Sequence, residues 1–201
     1  MKPLFALAGL FLLTFAPLAA SSLSSDELER ARDHLESTRD TLLAETAGLS
    51  DAQWNFKPAP DRWSVGEVVE HLAAAEDFLM TMVRDQVMQA PPRATAEDMA
   101  AIDAFVLKAI PDRSNRVKAP EPLIPAGRFG SRTDTLKQLK DNRAKTIAFL
   151  EQTNGLRDHA VESPLGKNLD AYQWILFVSA HAERHTKQIQ EVKADPNFPK
   201  S

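Results

Sequence analysis

Ser179-Ala-His-Ala-Glu-Arg-His-Thr-Lys-Gln-Ile-Gln-Glu-Val192 is the stretch whose reading decides the rest of the chain. In a helix, His181 and His185 stand four residues apart on one face. That face continues an apolar stripe of Trp174, Ile175, Val178, Ala182, Ile189 and Val192. Both imidazoles are therefore aimed at the interior of whatever the helix packs against. Such a pair is either buried and satisfied by hydrogen bonds, or it holds a metal. Glu183 and Arg184 turn away from the stripe and have no claim as ligands.

Outward from this stretch, Asp170 and Gln173 read as N-cap and N3 partner, with Leu169 and Trp174 as a hydrophobic staple. Asp195-Pro196 ends the helix. Arg157 to Leu169 reads as a polar linker containing His159. The helix before it spans about Thr133 to Thr153 and stops at Asn154-Gly155, with Leu136, Leu139, Ile147 and Leu150 inward. Arg143 lies on that stripe. Its long stem is expected to snorkel to solvent; the alternative is that it reaches toward the histidines and contacts an anionic substrate group.

Further upstream, Trp63-Ser64-Val65-Gly66-Glu67-Val68 carries a complete set of helix-start signals. Ser64 and Glu67 form a capping box, and Trp63 and Val68 a staple. The helix is expected to run to about Met88, with Val68, Leu72, Ala75, Phe78, Leu79 and Met82 on its apolar face. His71 falls on the same side, a third inward histidine. Glu70, Glu76, Asp77, Arg84 and Asp85 read as a solvated face. The first helix opens at Ser24-x-x-Glu27, carries Leu28, Ala31, Leu35, Thr38 and Leu42 inward, and ends near Thr46-Ala-Gly48. His34 sits at its edge and, like His159, is given no role.

The connections are rich in turn formers. Leu49 to Arg62 includes Trp54 and Phe56 and is expected to fold back on the helices. Ala90-Pro-Pro-Arg93 breaks the second helix. Thr95-x-x-Asp98 is expected to cap a short helix from Ala96 to about Ile110. Val117 to Arg132, with three prolines and two glycines, reads as an ordered loop without regular structure. Arg113, Arg116, Lys118 and Arg128 make this region locally basic, as solvated surface often is.

Composition narrows the chemistry. The chain has 201 residues, a formal charge of −4 and no cysteine. The acidic balance argues against nucleic acid as a partner. Without thiolates, only histidine and carboxylate remain as metal ligands. Residues 1–20 read as a cleaved export signal: Met1-Lys2, an apolar run from Leu4 to Phe15, then small residues with a cut after Ala20. Residues 21–201 would form a single domain, periplasmic or secreted, with no stable membrane anchor after cleavage. A homodimer is compatible with its ordinary polar faces.

Four long amphipathic helices suggest an all-α antiparallel bundle, with a short extra helix and a long loop between helices two and three. Facing helices of such bundles build metal sites in the interior. Burying three imidazoles without a common purpose would cost desolvation at each. Three histidines around one ion leave an open position for a water or a substrate thiol.

The chain resembles the DinB/YfiT-like superfamily of four-helix metalloproteins. The resemblance is carried by Pro58-Ala-Pro-Asp-Arg-Trp63-Ser64-Val-Gly-Glu67-Val-Val-Glu-His71-Leu72 and by Gln173-Trp174-Ile-Leu-Phe-Val-Ser-Ala-His181-Ala-Glu-Arg184-His185-Thr-Lys-Gln188-Ile189. Val117 to Pro125 and His159 to Gly166 are similar to its middle region and to the segment before its last helix. The resemblance implies a four-helix bundle of that type and a metal triad on His71, His181 and His185. The metal would be a divalent transition ion, zinc or nickel. Gln188 shares a face with His185 and could orient a ligand or water, or simply cap the pocket as a partly buried polar residue. Characterised relatives imply a metal-dependent transferase acting on low-molecular-weight thiols, with a small-molecule substrate. An exported member could instead use metal-bound hydroxide as a hydrolase, or be a non-catalytic metal-binding or stress-related protein. No general base beside the metal is evident in the sequence.

Overall fold

The computed structural model describes residues 20–93 and 98–200. The proposed signal segment and the Thr95 cap lie outside the described residues. Six α-helices are found among them: α1 (Ser25–Thr46), α2 (Asp51–Asn55), α3 (Val65–Asp85), α4 (Met99–Ala109), α5 (Arg132–Gln152) and α6 (Ala171–Lys193). α1, α3, α5 and α6 form a four-helix bundle, and no helix among the described residues is long and apolar enough to cross a membrane.

Local chemistry sets the helix starts. Ser24, Ser50, Ser64 and Asp170 each accept from the N3 backbone N–H, while Glu27, Gln53, Glu67 and Gln173 answer with reciprocal bonds. α3 is shorter than its periodicity suggested. It ends at Asp85, and Val87–Gln89 tightens into a 3₁₀ turn before the prolines. Asp98 caps α4 by accepting from the Ala101 N–H. The long loop holds a single 3₁₀ turn, Glu121–Leu123. The polar linker is not featureless: β1 (Ala160–Glu162) and β2 (Asn168–Asp170) pair antiparallel, with Val161 opposite Leu169.

α2 and the turn after it fold back as expected, through one close approach. A Cβ on Gly66 would lie 2.4 Å from Trp54 Nε1, so the first turn of α3 needs glycine to admit the indole. Arg132 also packs on that ring, its guanidinium 4.5 Å from the centroid.

The neighbours around the bundle run α1, α6, α3, α5 and back to α1. Consecutive long helices α1 and α3 are therefore diagonal, and α5 and α6 touch only slightly. One buried side chain bridges the α1–α3 diagonal. Arg143 of α5 donates to both oxygens of Glu76 on α3, and also to the Leu35 carbonyl and the Thr38 hydroxyl of α1. Both Arg143 and Glu76 are buried. This corrects two expectations: Arg143 does not snorkel, and Glu76 is not on a solvated face. A dispersed apolar stripe hid a polar pair whose partners are far apart in sequence.

A second polar knot ties one end of the bundle. Arg157 pairs with Glu27, Asp103 and Asp170 and lies over the Tyr172 ring at 4.0 Å. These carboxylates hold the guanidinium well above its ordinary pKa despite burial. The knot joins α1, α4, the hairpin and the cap of α6.

Candidate metal centre

His71 comes from the second turn of α3, and His181 and His185 from successive turns of α6, the helix beside it in the bundle. The structure brings the three imidazoles into one group that could hold a metal ion. Nε2 of His181 lies 3.4 Å from Nε2 of His71 and 3.1 Å from Nε2 of His185.

The outer nitrogens of two rings are fixed by acceptors. Nδ1 of His71 donates to the Leu123 carbonyl at 2.8 Å, and Nδ1 of His185 donates to Oε1 of Gln188 at 2.8 Å. Each neutral ring then has its proton on Nδ1 and a lone pair on Nε2. A single proton on His181 Nε2 can serve only one of these lone pairs. At least one of the two close N···N contacts therefore has no hydrogen in it, an arrangement that a shared cation resolves. Nitrogens bound tetrahedrally at about 2.0–2.1 Å are separated by about 3.3 Å. The spacing in the protein matches that edge length.

Burial keeps the rings neutral. It pushes His181 down to about 3, with His71 and Arg184 adding to the effect. Burial, then the nearby His181 and His71, holds His185 well below the ordinary imidazole value. His71 is lowered too, chiefly by burial, although its bond to Leu123 opposes the shift. Neutral imidazole is the ligand form. Trp63 lies over two of the rings, 4.8 Å from the His71 centroid and 6.2 Å from that of His185.

Glu70 was expected at the surface and is instead buried beside this centre. Its carboxylate accepts the N–H groups of Ala126, Gly127 and Arg128 at 2.8, 2.9 and 3.1 Å. Burial pushes this carboxyl up, but those three donors outweigh it and hold it below the usual range. Consecutive residues Glu70 and His71 thus grip one loop, at 126–128 and at Leu123. The sequence carries no local signal for that grip, because every partner is more than 50 residues away. Arg184 ties α6 to the segment that follows α4, donating to the carbonyls of Ile110, Asp112 and Asn115. Of the basic loop residues, Arg113 pairs with Glu191 and Arg128 with Glu70, so both are engaged.

Arg143 lies one layer deeper. With Glu76 it borders a cavity of about 10 Å³ that His181 also lines, room for one water at most. His34 also has a partner: its Nδ1 lies 2.7 Å from Ser179 Oγ, and Glu183 lies 3.7 Å from its other nitrogen. This mimics a hydroxyl–imidazole–carboxylate relay. However, Ser179 is fully buried, its hydroxyl donates to the Leu176 carbonyl, and the surrounding helix leaves no free N–H to stabilise an oxyanion. The group clips α1 to α6.

The sequence profile of the DinB superfamily matches residues 34–189, which include all three histidines. The chain belongs to the DinB superfamily. It is 32% identical over 152 residues to the uncharacterized protein YuaE of Bacillus subtilis (strain 168), covering 74% of this chain and 88% of that one. A solved DinB-like structure also superposes on it: YfiT from Bacillus subtilis, described as "a probable metal-dependent hydrolase with an unusual four-helix bundle topology". The match has a TM-score of 0.55 at 14% identity and covers 92% of this chain and 95% of that chain. At that identity the likeness bears on the fold alone.

Proposed function

We propose that this DinB protein is an exported metalloenzyme of the hydrolase class, with His71, His181 and His185 holding one divalent transition ion, zinc or nickel. The convergence of three Nε2 atoms, two of them freed by Nδ1 bonds to Leu123 and Gln188, carries the reading. An all-nitrogen donor set suits either ion. A divalent ion bound there would lower the pKa of a coordinated water or thiol. The protein's own part is to hold neutral imidazoles in register and to keep water scarce with Trp63. Hydrolysis is favoured by the description of YfiT and by export, since the low-molecular-weight thiols that a transferase needs are mainly cytosolic. The thiol-transferase reading suggested by the family remains the competing outcome.

Support for export comes from Ser21. Its N–H lies 3.2 Å from Oδ2 of Asp158, its hydroxyl also bonds that carboxylate, and its carbonyl accepts from Gly155. A cut after Ala20 would spare these contacts and place the new ammonium group on Asp158. Mass spectrometry of the protein from its native compartment should find Ser21 at the N-terminus.

The deciding experiment is elemental analysis of that same protein, with His181→Ala alongside. About one equivalent of metal in the native chain and none in the variant are expected. Ester or amide turnover without added thiol should then appear only in the metal-loaded native form. A chain that carries no metal, and whose melting temperature does not rise with added zinc or nickel, defeats the proposal. Turnover that requires a thiol selects the transferase.

A further inference from the structure

A cleft of about 390 Å³ opens between α3, α5 and the 122–129 loop, within the size range of small-molecule sites. Phe78 and Phe129 supply aromatic surface and Leu123 an aliphatic wall, and Phe78 is 48% exposed. Most of the polar lining is already engaged. Arg128 is bound to Glu70 and to the Ile124 carbonyl. Asn142 donates to the Ala73 carbonyl and accepts from Gln138 Nε2. Two acceptors are left. Asp77 makes no hydrogen bond or ion pair among the described residues, and neither does the side-chain oxygen of Gln138. Thr81 Oγ1 accepts from Arg84 Nη2 at 3.1 Å, which engages that hydroxyl and sets one guanidinium at the edge of the cleft. The lining itself thus offers an unpaired carboxylate, a spare carbonyl and two aromatic rings, and its own cation, Arg128, is engaged. That combination complements a positive charge on an apolar body.

We propose that this cleft binds a small organic ammonium ion carrying an aromatic or aliphatic group, and that its occupancy is coupled to His71 through Leu123. Asp77 and Gln138 receive the ammonium N–H groups, while Phe78, Phe129 and Leu123 pack on the body. Coupling follows from the loop's attachments. Glu70 and His71 hold the loop from neighbouring positions of α3, and the Leu123 carbonyl that fixes His71 Nδ1 belongs to the residue whose side chain lines the cleft. A ligand resting on Leu123 and Phe129 holds the loop in the position that orients His71. Linkage makes the effect reciprocal, so a ligand that steadies His71 also raises metal affinity. Only this last consequence rests on the metal reading proposed above.

The test uses the full mature chain, first without metal. Phenethylammonium, 2-phenylethanol and 3-phenylpropanoate present the same ring with a positive, neutral and negative end. Binding is read by calorimetry and by amide shifts at Phe78, Leu123 and Phe129. The ammonium ion should bind roughly tenfold or more tighter than the carboxylate. Asp77→Asn should erase that preference, and Phe78→Ala should weaken all three. Both side chains are exposed, so an unchanged melting temperature verifies that each variant is folded. No saturable binding at millimolar ligand, or a preference that survives Asp77→Asn, overturns the site. Coupling is read in the same metal-free protein as slower exchange of the His71 Nδ1–H on adding the ammonium ion. An unchanged exchange rate overturns it. Zinc affinity measured with and without phenethylammonium extends the test. If no zinc binds at all, the metal reading fails while the two metal-free readouts still decide this proposal.

Discussion

Replacing Arg143 with methionine keeps an unbranched apolar stem and deletes the guanidinium. In the native protein that group is 3% exposed and holds both oxygens of Glu76, at 2.9 and 3.0 Å. It also donates to the Leu35 carbonyl and, at 3.0 Å, to Thr38 Oγ1. The variant leaves the buried Glu76 carboxylate with one donor, the Thr146 hydroxyl at 2.8 Å. Breaking a buried ion pair from one side costs about 3–5 kcal/mol. For a domain of this size each kcal/mol lowers the melting temperature by about 2–4 °C, so the expected fall is roughly 6–20 °C. The double variant Glu76→Leu/Arg143→Met removes both charges and should recover most of the loss, since apolar replacements of buried pairs are often neutral or better. Urea unfolding of the native chain, both single variants and the double variant gives the coupling energy directly. A loss below about 1 kcal/mol for Arg143→Met would match an exposed pair and refute the buried bridge across the α1–α3 diagonal.

Three further outcomes follow from the geometry. The metal-free protein should lose stability in acid. His181 titrates at about 3 when folded, and His71 and His185 are lowered in the same direction. The unfolded imidazoles take up protons near 6.5, so this contribution is complete above that pH and declines as pH falls from about 6.5 toward 3, with His181 alone accounting for about 2 kcal/mol at pH 5. Equal unfolding free energies at pH 7 and pH 5 would contradict it. Gln188→Leu removes the acceptor for His185 Nδ1 and should weaken zinc or nickel binding about 10–100-fold in a competition titration; undiminished affinity would show that Gln188 is only a pocket cap. Gly66→Ala drives a methyl group into the Trp54 indole and should cost about 1–3 kcal/mol, with a change in tryptophan fluorescence; a fully stable variant with native fluorescence would show that α2 does not pack there.

The parts of this fold that could be read from sequence are those whose cause lies within four residues. Ser24, Ser64 and Asp170 announce their helices because a cap and its N3 partner are three residues apart. The periodicity that places His71, His181 and His185 inward is equally local. The burial of Glu70 and Glu76 is not legible in the sequence, because an acid on a helix reads as exposed unless its partner is visible. Their partners are Ala126–Arg128 and Arg143, brought close only by the fold. Ser50 and Gln53 do carry the capping signal for α2, but a five-residue helix gives no periodicity to support it. The hairpin escaped for the same reason, its strands being three residues each. The order of helices around the bundle could not be read at all: an apolar stripe defines which face is buried, not which helix covers it.

Three polar residues of α3 lie within seven positions, and all are buried: Glu70, His71 and Glu76. Each buried polar group costs stability unless it is bonded. Glu70 has three backbone donors, and Glu76 has Arg143 and Thr146. The outer nitrogens of His71 and His185 are bonded as well. Around the histidines, what is left mismatched is the group of inward Nε2 atoms, which crowd one another at 3.1 and 3.4 Å. The residual cost of this region is therefore concentrated where an ion would sit. His181→Leu replaces the shared partner of both close contacts with an apolar side chain of similar size. In the metal-free state it should cost no more than about 1–3 kcal/mol, the penalty for leaving unpaired the one lone pair that the His181 proton can serve. In zinc the gap should widen: the native chain gains about 2.7 kcal/mol at one hundred times its dissociation constant, and the variant gains nothing. A His181→Leu chain that is several kcal/mol less stable without metal would mean that these imidazoles support one another through hydrogen bonds, and the satisfied-core reading of His181 and His185 would replace the metal one.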